Sequence, residues 1–233
     1  MKQEQLVNSP YEEKGEVIVQ NRQRRKFFTQ VAGLASIAAI AAACNKDDNN
    51  NNSTGVDLGT GDIGILNYAY ALEQLEAAFY TQVVSTPYTG ITAAETTFMT
   101  DIRNHEIAHR EFLKAALGAS AIPALEVDFS KITFTSRDSV LGTAMAFEDL
   151  GVTAYDGAGY LLKDANYLLL AGKIVSVEAR HAALIRELIS ANTFLGDQVD
   201  ANSVNISRTP DEVLTIASAY LKTKINASNL PKG

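Results

Sequence analysis

The chain has 233 residues, 46% of them hydrophobic and 20% charged, which is enough for one good core and an appendage. Twenty Lys+Arg against 27 Asp+Glu leave a formal charge of −7, which argues against a nucleic-acid surface. The single cysteine excludes a disulfide within the chain, a cysteine zinc knuckle and a rubredoxin-type iron site; there are only three histidines and no tryptophan.

The charge is unevenly distributed. Residues 1–43 carry six Lys+Arg and four Asp+Glu, so the remainder has 20 − 6 = 14 basic against 27 − 4 = 23 acidic residues. Gln23-Arg24-Arg25-Lys26-Phe27-Phe28-Thr29 precedes an uncharged run of mostly small residues, Val31 to Ala43, ending at Cys44. A basic stretch, a short apolar stretch and small residues before a cut site predict an export signal over 1–43, and the run is short for a bilayer span. The paired arginines followed by Phe resemble a twin-arginine signal, whose pathway carries folded proteins. Ala42-Ala43-Cys44 resembles a bacterial lipobox, with Ala41 where leucine is usual. The resemblance implies a lipid on Cys44 and an envelope lipoprotein, on the periplasmic face or the cell surface; an uncleaved N-terminal anchor is the alternative. Asn45 to Asn52 with the residues up to 60 reads as a polar tether, because this composition buries little apolar area.

From about Asp62 the apolar spacing becomes helical. The first helix is predicted from there to Ser85-Thr86-Pro87, the second from Ala93 to Leu117 and the third from near Ser139 to Lys163. The fourth follows Asp164-Ala165-Asn166 and runs to about Asn192. Thr209-Pro210-Asp211-Glu212 reads as a capping-box start for a short helix over 210–222, within an extension covering 195–233. Short links join helices one to two and three to four, whereas the link from two to three can cross the bundle. The expectation is all-α: a four-helix bundle over 61–194 with one long crossover.

Two helices carry Glu and His three apart, Glu106-Ile107-Ala108-His109 and Glu178-Ala179-Arg180-His181, so each pair projects from one face. Ile102 and Leu113 share the first face, Ile174 and Ile185 the second, which puts these polar groups on the core side. The other two helices repeat one pattern: Leu72-Glu73 and Phe147-Glu148 are each followed by Leu at +2 and by Tyr at +7, Tyr80 and Tyr155. Glu73 and Glu148 are 75 residues apart, Glu106 and Glu178 72, as expected of two copies of one hairpin about a pseudo-twofold axis. Glu73 is preferred to Glu76 as the inward acid, because the counterpart of Glu76 is Gly151. Glu76 itself is expected to be solvated or to stand behind the cluster, with a seventh ligand as the alternative, and His105 to lie on the helix surface or behind a ligand. Tyr80 and Tyr155 either bond the acids, carry oxidising equivalents or serve only as core.

Four buried carboxylates close together are costly unless compensated, and two divalent cations cancel their charge. Imidazole with carboxylate suits iron or manganese better than calcium or magnesium. A metal-free buried polar network is the competing expectation. One Glu from each of two helices plus Glu-x-x-His from each of the others resembles the ligand set of the dinuclear carboxylate bundles.

At these residues the chain resembles the ferritin-like superfamily. Through Leu66-Asn67-Tyr68-Ala69, Leu72-Glu73 and Leu75-Glu76-Ala77-Ala78-Phe79-Tyr80 it resembles exported bacterial members termed desiccation-related. The resemblance implies two Fe or two Mn ions, one nearer Glu73, Glu106 and His109 and the other nearer Glu148, Glu178 and His181, with Glu106 and Glu178 bridging. It implies chemistry on peroxide, or on O2 and Fe(II), that protects the envelope. A non-catalytic stress or interaction scaffold and an iron store stay open as alternatives. Expected partners are a membrane through lipidated Cys44, a small oxidant and a second copy of the chain as a homodimer, with no nucleic acid.

Overall fold

A computed structural model describes residues 55–232. The expected export signal, Cys44 and most of the expected tether lie outside the described residues. Four long helices dominate: α1 (Gly61–Ser85), α2 (Ala93–Leu117), α3 (Arg137–Gly159) and α4 (Ala165–Ile189). A short helix, α5 (Pro210–Ala217), follows, and strands β1 (Val56–Asp57) and β2 (Ile225–Asn226) pair in parallel. α1 packs along α2 and α3 along α4, each pair joined by a short link, so each is an antiparallel hairpin. Among the described residues no helix is long and apolar enough to cross a membrane.

Local chemistry explains where the helices start. Thr92 accepts from the Glu95 amide while the Glu95 carboxylate accepts from the Thr92 amide, a capping box that opens α2. The box read at Thr209 and Glu212 forms in the same way at the start of α5.

Three helix ends fall earlier than the sequence predicts, because side chains or neighbouring segments take the amides a longer helix would use. Asp62 accepts from the Lys163 and Asp164 amides at 2.9 and 2.8 Å, so α3 stops at Gly159 rather than Lys163. The Glu187 carboxylate takes the amides of Asn192, Thr193 and Phe194, and α4 stops at Ile189. α5 ends at Ala217, followed by a 3-10 turn over Ser218–Tyr220; Leu221 then bridges to Val127 and the Lys222 amide donates to Glu126. The expected tether over 44–60 is likewise too long. β1 and the fully buried Leu58 already belong to the packed structure, because β1 finds a partner in the far C-terminal segment.

The long crossover, residues 118–136, lies along α1. Asn67 donates to the Leu58 and Ser120 carbonyls and accepts from the Ile122 amide. One helical stretch further on, Gln74 accepts from the Leu125 amide and donates to the Pro123 carbonyl. The Thr89 amide, in the α1–α2 link, donates to the Thr135 carbonyl. With the crossover on its outer side, α1 is buried at every residue from Gly64 to Ala77. That cover fixes the surroundings of the acids on α1.

Candidate metal centre

The six residues singled out in the sequence meet at mid-bundle. Glu73, Glu106, Glu148 and Glu178 have no solvent exposure, His181 is buried and His109 nearly so. Their donor atoms fall into two groups, each with all members within 4.8 Å of one another: Glu73, Glu106, His109 and Glu178, and Glu106, Glu148, Glu178 and His181. Glu106 and Glu178 belong to both.

The atoms are divided accordingly. His109 Nδ1 lies 2.8 Å from Glu178 Oε1, 3.5 Å from Glu106 Oε2 and 3.6 Å from Glu73 Oε2. His181 Nδ1 lies 2.9 Å from Glu106 Oε1, 3.3 Å from Glu148 Oε2 and 3.7 Å from Glu178 Oε2. Each shared carboxylate therefore offers one oxygen to each imidazole.

The outer oxygens of the two unshared acids are held from across the bundle. Tyr155 of α3 donates to Glu73 Oε1 and Tyr80 of α1 to Glu148 Oε1, both at 2.5 Å. Burial first, then the neighbouring carboxylates, keep both phenols far from ionising, so each remains a donor. The tyrosine of each hairpin thus aims the acid of the other. Behind His181, His105 Nδ1 lies 2.9 Å from Nε2. His105 therefore supports a cluster residue rather than facing only solvent.

The residues fit a pair of cations. Glu73 Oε2, both oxygens of Glu106 and Glu178, Glu148 Oε2 and both histidine Nδ1 atoms are buried and make no hydrogen bond of good geometry. They converge in two groups around common points. Donors bound at ~2.1 Å to one ion stand about 3.0 Å apart at a right angle and about 3.6 Å at 120°. The observed separations span that range.

Without cations, protons must balance the charge. Burial, then the Glu178 charge, pushes Glu106 well above the usual carboxylate range. Burial also raises Glu148, against the pull of His181, to about 7. For Glu178 burial works upward too, but His109 and His181 together outweigh it and hold this carboxyl at about 2. Burial opposes protonation of His181, yet Glu106, Glu148 and Glu178 raise it to about 12.

The structure decides between the alternatives for Glu76. This acid is not solvated: it is 4% exposed, and burial followed by the surrounding carboxylates pushes it well above its usual range. Its Oε1 lies 3.1 Å from where a Cβ on Gly151 would stand, with Glu178 Oε2 at 3.7 Å from the same point. Glu76 thus takes the space its own counterpart leaves empty, beside the cluster but outside both donor groups. The sequence signal for its burial was the absence of any Lys or Arg on α1. His105 had no such signal, because its contact depends on how α2 meets α4.

The fold and site define a four-helix carboxylate bundle whose buried Glu/His cluster could bind metal. A family model described as a ferritin-like domain matches residues 61–191, more than half of the chain. The chain belongs to the ferritin-like family. None of the curated proteins matches it by sequence.

Proposed function

We propose that this chain is an exported, membrane-tethered protein with a dinuclear iron or manganese centre that reacts with peroxide, or with O2 and Fe(II), and protects the cell envelope. The observation carrying the reading is the convergence of unbonded, buried donor atoms in two groups that share Glu106 and Glu178. Glu73, Glu106, His109 and Glu178 would hold one ion, and Glu106, Glu148, Glu178 and His181 the other. When bound, such a pair supplies two-electron redox chemistry next to the oxidant.

The protein's own residues set the conditions. Tyr80 and Tyr155 fix the two unshared acids, His105 holds the His181 ring from behind, and the buried surroundings exclude bulk water. Imidazole among the donors favours iron or manganese over calcium or magnesium. Export and lipidation are supported by Arg24-Arg25, the run to Ala43 and Cys44.

Elemental analysis of the protein purified without chelator, alongside His181→Ala, tests the proposal together with peroxide and O2 turnover. About two ions per chain are expected, with turnover lost in His181→Ala and Glu148→Ala. A wild-type protein free of metal, or full turnover in both variants, would leave a non-catalytic scaffold as the better account.

A further inference from the structure

The two ends of the bundle core are built differently. At one end Phe79 packs edge-on against Tyr80, Phe129 and Phe147, with ring centroids 5.0–6.0 Å apart, and Tyr220 closes over Phe147 at 4.8 Å. The 75-residue repeat that relates Glu73 to Glu148 relates Phe79 to Ala154 and Leu72 to Phe147. At the other end the Phe79–Phe147 contact is therefore replaced by Ala154 and Leu72, so one ring is missing and the other gives way to a smaller leucine side chain.

A cavity stands there, walled by Leu66, Ala69, Leu72, Phe112, Ala154 and Ile174 among others, with Tyr155 also on its wall. Its interior leaves about 30 Å³ for the centre of a water-sized molecule; ~10–15 Å³ is enough for one water. The inner wall is buried, while Leu162, Tyr167 and Leu170, at the outer end, are only half-buried. The cavity thus runs from near the surface to the residue whose hydroxyl bonds Glu73, and Leu72 is the neighbour of Glu73 in the chain.

The lining selects the occupant. Water or peroxide needs two to four polar partners in such a space. The hydroxyl of Tyr167 sits at the half-buried outer end and that of Tyr155 is engaged by Glu73, so an inner occupant finds one free hydroxyl, that of buried Tyr68, short of the two that water needs. A small apolar gas needs no partners and gains dispersion contacts with the aliphatic wall.

From this we infer that the cavity is a docking site for dioxygen on its way to the cluster. This rests on the proposed function and narrows it: O2, rather than peroxide, is the oxidant the core is built to admit.

Xenon pressurisation of crystals of the metal-free protein tests the site without any turnover. Xenon density is expected between Leu66, Ala69, Ala154 and Ile174, and is expected to vanish in Ala154→Val, or in Ala158→Val should the first variant fold poorly. In the iron-loaded protein, filling the cavity should slow oxidation of Fe(II) by O2 roughly tenfold, since entry then requires the wall to open. Oxidation by added peroxide should stay unchanged, as should metal content. A cavity that takes no xenon overturns the inference; so does an unaltered O2 rate in a folded variant, or an extended apolar molecule found in the cavity of the purified protein. Absence of metal would instead overturn the proposed function while leaving the xenon result standing.

Discussion

His105 Nδ1 lies 2.9 Å from His181 Nε2, and the two rings are nearly coplanar, 9° apart. His181 presents Nδ1 to Glu106, Glu148 and Glu178, so the ring is gripped on both nitrogens. The equivalent of His105 in the second hairpin, 72 residues later, is Val177. The two halves of the cluster are thus supported differently despite their matching donor sets. His105→Ala should weaken one of two metal-binding events by about 10–100-fold and leave the other nearly intact. Calorimetric titration of the chelator-stripped protein, with His105→Gln as the conservative variant, would show whether the two events separate.

The crossed tyrosines make a second prediction. Removing either hydroxyl leaves an outer carboxylate oxygen, Glu73 Oε1 or Glu148 Oε1, without its donor in a fully buried site. Hydrogen bonds to charged groups contribute about 1.5–3 kcal/mol. Tyr80→Phe and Tyr155→Phe should each lower the melting temperature of the metal-loaded protein and raise the rate of metal loss to a chelator. Two variants that hold metal as tightly as the wild type would reduce these tyrosines to core packing.

Protons and metal compete for the same atoms, which gives a pH dependence of known sign. In the metal-free fold Glu148 is raised from 4.5 to about 7, so its stabilising contribution is complete below 4.5 and is lost as pH rises through 7. His181 is raised from 6.5 to about 12, so its contribution begins to fall above 6.5 and is lost towards 12. Both act in the same direction, and the metal-free protein should lose stability between about pH 5 and 8. Over the same interval metal affinity should rise, with protons released on binding. Calorimetry in buffers of different ionisation heat counts those protons; a pH-independent affinity with no release would contradict the cluster described here.

The C-terminal extension can be detached by one small change. A Cβ on Gly157 would stand within 3.0 Å of the Arg208 backbone nitrogen, carbonyl carbon and oxygen, while the Arg208 amide and guanidinium are bonded to Thr153. Only a residue without a side chain lets the two backbones approach this closely. Gly157→Ala should cost about 1–3 kcal/mol and expose the segment after residue 195 to limited proteolysis. Metal content should be unaffected, since Gly157 faces the tail and not the cluster.

The proposed lipid anchor is tested by Cys44→Ala. The variant should move from the membrane to the soluble fraction and lose incorporation of labelled fatty acid, with metal binding unchanged. A variant that still sediments with membranes would favour an uncleaved anchor.

Much of the centre was legible in the sequence because helical geometry is local. Glu106 with His109, and Glu178 with His181, share a face by spacing alone, and the 75- and 72-residue offsets pair the hairpins before any contact is known. Capping at Thr209 and the bundle topology are local or length-determined in the same way. Only the tertiary structure decided where helices end against distant carboxylates such as Asp62, and that Glu76 is buried because the crossover covers α1. It alone decided that His105 of α2 meets His181 of α4, and that one end of the core is closed by aromatic rings while the other keeps a cavity. These features depend on which surfaces are brought together and how much volume their side chains leave, and neither quantity is written in the periodicity of a single helix.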